Sequence, residues 1–338
     1  MVNSVRPTNL CSSPHYSIMD LDGHVAIVGG GIVGICTAYY LTRLGHTNLT
    51  LLEQCELACH SSGKAGGFLA RAWCDGTDLA GLAGASYQLH TGLAEEYPDI
   101  GYRWVDTYRV DTTHEEVESG AGTTPLSWLS HTHVRDTKLL GSPENTGKVT
   151  PRILCEKLWA EAKIRGAKLK ICKVTGVEKS GNQTTHIKTD SEKIPIDGIV
   201  LAMGPWTATF LSAHYPEFPL PALAPQTRAH SVVLRPRTAL PGTQCLFQYH
   251  EEAGRTVDPE IYPASDGNVY VCGEVDKIPL PDDPRHILPD VARCERLVSQ
   301  AAHAVPELAS AQVVAQQACY LPGSLTTFPP ERTGRRMG

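Results

Sequence analysis

Three glycines and one carboxylate set the first chemical expectation. Gly29, Gly31 and Gly34 lie within HVAIVGGGIVG, residues 24–34, and form the pattern G-x-G-x-x-G. The first glycine allows a tight turn, the second lets a pyrophosphate come close to the backbone, and the third lets a helix pack against a strand. The amides of Gly31, Ile32 and Val33 would then open a helix, where unpaired N–H groups and the macrodipole favour a phosphate. Glu53 follows at a distance suited to accept hydrogen bonds from ribose hydroxyls. A carboxylate there repels a 2′-phosphate, so NADP is disfavoured.

The elements needed to hold these groups are legible around them. Residues 25–28 are an apolar run of strand length. Ile35, Ala38, Tyr39, Leu41 and Leu44 recur at helical spacing, and Gly45 stands where a left-handed cap is needed. Leu49, Leu51 and Leu52 make a second buried strand that ends at Glu53. Strand, turn, helix and strand thus follow in register; a glycine-rich turn of an unrelated α/β protein is the alternative. The next small-residue stretch, SSGKAGGFLA at 61–70, separates the cofactors. With Ser61, Ser62, Gly63, Lys64, Gly66 and Gly67 it could wrap a second portion of a long cofactor, backbone amides inward. That favours FAD over NAD, against the simpler reading of a surface loop.

The 338-residue chain has room for one large or two modest domains. Its net charge of −6 and scattered Lys and Arg give no footprint for nucleic acid. No apolar run is long enough for a membrane span. Residues 1–22 lack the marks of a secretory or transit signal and read as a disordered extension. Eleven cysteines include no Cys-x-x-Cys, so neither a zinc site nor a redox dithiol is expected, and no metal is assigned. Cys55 and Cys59, four apart, are expected as reduced thiols in the cytoplasm.

Three further stretches carry a family resemblance. VTPRILCEKLWAEAKIRGAKLK at 149–170 presents Leu154, Leu158 and Ala162 on one helix face. ICKVTGVEK at 171–179 supplies Val174, and DGIVLAMGPWTATFL at 197–211 supplies Ala202, Gly204 and Trp206. With the glycine turn, these resemble the FAD-dependent oxidoreductase family of D-amino-acid oxidase, glycine oxidase and sarcosine oxidase. The chain looks most similar to a eukaryotic branch with SSGKAGGF-like loops and no assigned substrate.

The resemblance implies an α/β fold. A three-layer, Rossmann-like FAD-binding domain with a parallel central sheet would comprise 23–96 and 147–215. An inserted antiparallel α+β substrate domain would comprise 97–146 and 216–312. Residues 313–338 would be a truncated return to the FAD domain and an irregular tail. Val174 would meet the adenine. The implied chemistry is oxidation of a small amine or amino acid by hydride transfer to flavin N5, which needs positioning more than acid–base machinery.

In the substrate half, 101–111, 229–234 and 269–275 read as strands, and Val291, Cys294, Leu297 and Val298 as the stripe of a helix at 287–303. A substrate carboxylate would want an arginine. Arg71 and Arg228 are the candidates, with Tyr262, and also Tyr249, as hydroxyl donors; a surface position or a salt bridge is the alternative for each arginine. Strand 269–275 carries no lysine to assist oxygen, which argues against fast oxidase behaviour. Cys319, in QACYLP, falls where sarcosine oxidases bond the flavin covalently; a buried thiol is the alternative. The family's last strand and helix have no counterpart after residue 322, so weak FAD retention and low stability are expected. The competing reading is a catalytically weak or inactive binding or scaffold protein of the same fold, with a trafficking role as one form of it.

Overall fold

The computed structural model describes residues 22–116, 124–218, 227–252 and 254–321. The expected N-terminal extension and the tail beyond 321 lie outside the described residues.

The chain begins β1 (Val25–Val28), α1 (Ile32–Arg43), β2 (Leu49–Glu53), α2 (Ser61–Lys64), β3 (Phe68–Ala70) and α3 (Ala80–Glu96). It continues β4 (Arg103–Trp104), β5 (Asp106–Thr112), β6 (Val134–Gly141), β7 (Thr146–Lys148), α4 (Pro151–Ile164) and β8 (Lys168–Ile171). A meander follows: β9 (Val174–Ser180), β10 (Gln183–Thr189) and β11 (Lys193–Pro195), then β12 (Gly198–Leu201) and α5 (Thr207–His214). The remainder is β13 (Thr227–Arg235), β14 (Gln244–Glu252), β15 (Arg255–Val257), β16 (Glu260–Pro263), β17 (Val269–Asp276), α6 (Val291–Ala304) and β18 (Gln312–Leu321).

A parallel sheet of order β12-β1-β2-β8 sits between two layers. Alternation along each strand decides which layer a residue meets. Val25 and Ile27 of β1, with Leu49 and Leu51 of β2, pack on α1 and α4 through Ile35, Ala38, Leu154 and Leu158. Ala26, Val28 and Leu52 face the opposite way, onto Ile187 and Ile194 of the antiparallel meander. The helix ends where its chemistry requires: Gly45 is left-handed at φ 95°, and the amide of His46 returns to the Leu41 carbonyl. Leu44, counted above with the buried stripe, is 75% exposed, because the helix has already reached its cap there.

The larger sheet has the order β18-β13-β17-β16-β14-β5-β6, with β15 beside β14. It is antiparallel except between β5 and β14, which run parallel, a departure from the purely antiparallel expectation. The connection from β5 to β14 passes through the parallel sheet and its helices, and so can return in the same direction. Helix α6 covers one face with Cys294, Leu297, Ala301 and Ala304; Val291 of the expected stripe points outward instead. Asp290 caps that helix by accepting the Arg293 amide. A small sheet, β3-β7-β4, lies at the junction.

Residues 313–321 do not return to the parallel sheet. They belong to β18, an edge strand of the large sheet paired along its length with β13. Cys55 and Cys59 also depart from expectation: they form a disulfide. The cause is local, since Ala58 takes a left-handed φ of 55° and its amide binds the Gly30 carbonyl, folding the segment after Glu53 back on itself.

Candidate cofactor and active site

The turn between β1 and α1 is closed by glycines that admit no side chain. A Cβ on Gly34 would run into the Gly29 carbonyl, and one on Gly29 into the Ala202 carbonyl of the neighbouring strand end. Gly31 differs, because its Cβ would meet only the Ser62 hydroxyl, at 3.1 Å. It is the glycine that faces the open side.

That open side is a cavity of about 300 Å³. Its floor is Gly29–Val33, and Glu53, Ser61 and Ser62 flank it. Val174, Ala202, Gly204 and Trp206 line it from the β9 and β12 side. The first free amide of α1, Ile32 N–H, donates to Ser62 Oγ at 2.9 Å. The hydroxyl oxygen stands where a phosphate oxygen would accept from the helix end. Glu53 Oε2 accepts the Gly30 amide at 2.6 Å and Oε1 the Cys55 amide at 3.0 Å. A carboxylate offers about four lone-pair sites, so acceptor capacity remains for ribose hydroxyls. The donors, the acid and the glycine cradle therefore fit the nucleotide and pyrophosphate of FAD.

His60 also lines this cavity and escaped the sequence reading, although it directly precedes the SSGKAGGF stretch. Burial, with Lys64 nearby, lowers its pKa to about 4, so the ring is neutral at pH 7. Its Nδ1 pairs with Ser61, while Nε2 is buried without a protein partner. Trp206 meets the ring edge-on at 5.0 Å and is fixed by its Nε1–H donating to the Pro281 carbonyl.

Beyond Ser62 the stretch serves packing rather than cradling. A Cβ on Gly63 would strike the Ala58 carbonyl, and one on Gly67, left-handed at φ 78°, the Val149 carbonyl. Gly66 lets the backbone lie against the rings of Tyr262 and Tyr270. Lys64 donates to the Ala318 carbonyl and Ser61 to that of Tyr320, tying α2 to β18. Cys319 therefore sits beside α2, but it is not among the cavity-lining residues; burial raises its thiol pKa, with Lys64 opposing.

Two of the three expected substrate residues are committed elsewhere. Arg228 binds Asp276 with two hydrogen bonds, 3.0 Å from Nε and 2.7 Å from Nη2, and donates Nη1–H to the Leu288 carbonyl. It is a buried structural ion pair, because β13 and β17 place the two residues side by side. Tyr262 is 2% exposed and donates its hydroxyl to Glu260. Arg71 lies one residue past β3 with an exposed side chain. Tyr249 is covered by the Arg109 guanidinium, 4.2 Å from its ring centre.

What the sequence did not foreshadow is an aromatic cluster at the junction. Phe68 stacks on Tyr262 at 5.6 Å and meets Phe247 and Trp73 at 5.1 and 5.0 Å. Lys148 of β7 is buried beneath it, donating to the Tyr262 and Pro263 carbonyls. Burial lowers this ammonium to about 8. No single sequence window contains these residues, so periodicity could not reveal the cluster.

Comparison with known proteins fits this geometry. The model of the DAO family, FAD dependent oxidoreductases, matches residues 24–334. A Schizosaccharomyces pombe protein named "Putative oxidoreductase C1F5.03c" is 28% identical, covering 91% of this chain and 85% of its own. Glycine oxidase of Bacillus subtilis is 28% identical over 54% of each chain. The crystal structure of glycine oxidase from Geobacillus kaustophilus superposes with a TM-score of 0.70 at 21% identity, covering 92% of this chain and 87% of that one.

Proposed function

The chain belongs to the DAO family of FAD-dependent oxidoreductases, and from that premise we propose that it oxidises a small amine or amino acid at the C–H bond beside nitrogen. When bound, FAD would supply the hydride acceptor for that bond, the substrate leaving as an imine once its nitrogen has given up a proton. The chain's own residues do the rest. The α1 terminus and Ser62 would hold the diphosphate, and Glu53 the ribose. Phe68, Phe247 and Tyr262 keep water from the junction, where a low dielectric strengthens every polar contact.

The observation that carries this reading is the continuity of one short segment. Ser61 and Ser62 face the nucleotide cavity, while Phe68 stands in the aromatic cluster under the large sheet. The segment thus runs from the nucleotide cavity to the aromatic cluster, whose side chains would meet the far ring of a bound FAD. The glycine oxidase likeness makes small α-amines the first substrates to try, with Arg71 as the arginine left to meet a carboxylate.

The test is anaerobic. FAD-loaded protein is mixed with glycine, N-methylglycine, longer amino acids and simple amines, and the flavin bands are followed. Bleaching by at least one member supports the proposal. Bound flavin that none of them reduces contradicts it and favours a binding role.

A further inference from the structure

Four of the chain's fourteen histidines meet at one corner of the large sheet, and none of them lines the nucleotide cavity. His114 follows β5, His133 precedes β6, His250 lies on β14, and His303 lies in the last turn of α6. The parallel register of β5 and β14 sets Thr112 opposite His250 and so delivers His114 to the same end.

The ring nitrogens converge. His250 Nε2 is 2.7 Å from His114 Nε2, and one nitrogen from each of His114, His250 and His303 lies within 4.8 Å of the others. The remaining nitrogens of two rings are assigned by their partners. His303 Nδ1 faces the Ser299 carbonyl at 3.0 Å and must be the protonated nitrogen. His250 Nδ1 faces the Thr112 hydroxyl at 3.0 Å; with that hydroxyl's proton assigned to the Tyr249 carbonyl, it accepts from the ring as it does from the Gln248 amide. With those assignments Nε2 is the lone-pair nitrogen of both rings, and that of His250 accepts from His114 Nε2, whose shared proton a metal ion would replace. This is how metal-binding imidazoles are oriented, each with its second nitrogen donating to an oxygen.

We propose that His114, His250 and His303 form a zinc-type site, with water completing the sphere on the exposed His114 side. Three imidazoles suit a late divalent transition ion better than magnesium or calcium, which want oxygen. Bonds of about 2.0–2.1 Å in a tetrahedron set ligand nitrogens ~3.4 Å apart. His114, exposed and outside regular structure, is the ring able to swing out by that difference. His133 lies outside this set, its ring 5.9 Å from that of His303 and its Nδ1 buried without a partner. An ion there would fasten the end of α6 to the β5–β14 edge. The site stands independently of the flavin reading.

The experiment uses full-length, FAD-equilibrated protein without a histidine tag, stripped with EDTA and kept non-reducing so that Cys55 and Cys59 stay joined. Zn2+ is titrated against a chromophoric chelator, and Co2+ is followed by its visible bands. One Zn2+ per chain is expected, weakened at least about tenfold in His114→Ala and in His303→Gln, with flavin absorbance unchanged in both. Cys55→Ser/Cys59→Ser should bind Zn2+ as the parent does. Absence of saturable binding, or binding indifferent to both histidine changes, would overturn the proposal. His114 is exposed, so loss of fold does not confound its variant.

Discussion

Glu53 links the glycine turn to the cavity, because it holds the turn through the Gly30 amide and still faces the open space. Glu53→Gln keeps the volume and one oxygen for the Gly30 amide but loses the charge and the acceptor of the Cys55 amide. Hydrogen bonds to charged groups contribute about 1.5–3 kcal/mol each, so FAD affinity should fall roughly ten- to hundredfold in a fluorescence titration. His60 gives a pH signature. Its folded pKa of about 4 lies below the ordinary histidine value, so the unfolded chain binds more protons between those two points. The stability contributed by the neutral ring is present above pH 6.5 and is lost as pH falls toward 4. Urea midpoints should drop from pH 7.5 to pH 5, and His60→Asn should flatten part of that drop. An identical pH dependence in the variant would refute this role.

Helix α1 and the β13–β17 pair are the elements on which the site depends. Gly34 allows α1 to lie against the Gly29 carbonyl, so Gly34→Ala forces the helix outward. Overpacking of this kind costs about 1–3 kcal/mol; a lowered melting temperature together with lost FAD binding is expected. The Arg228–Asp276 pair is a different case. Its side chains are 11% and 10% exposed, and Arg228 holds Asp276 below the usual carboxylate range. Removing one partner of a buried pair costs about 3–5 kcal/mol, so Arg228→Met should be strongly destabilised in urea. Arg228→Met/Asp276→Leu should recover much of the loss. A substrate-binding arginine would instead show raised KM with unchanged stability.

Across the whole molecule, legibility followed sequence distance. The glycine turn, α1, β2 and α4 were readable because periodicity, cap and acid lie within one window. Val174, Ala202, Gly204 and Trp206 came from family resemblance, and the structure brings all four to the cavity wall. Arg228 misled because its partner is 48 residues away, and a sequence shows an arginine but not its carboxylate. The aromatic cluster and the histidine corner were invisible for the same reason: each is assembled by tertiary pairing of distant strands. The disulfide failed for a subtler cause, since a left-handed alanine has no sequence signature.

FAD would lie along α1 and the 61–62 serines with its ribose on Glu53. The most direct measurement is calorimetric titration of the purified, flavin-stripped protein with FAD, in parallel with Glu53→Gln. Saturable binding of one FAD per chain is expected, clearly weakened by the substitution. Absence of binding, or equal affinity in the two proteins, would contradict it.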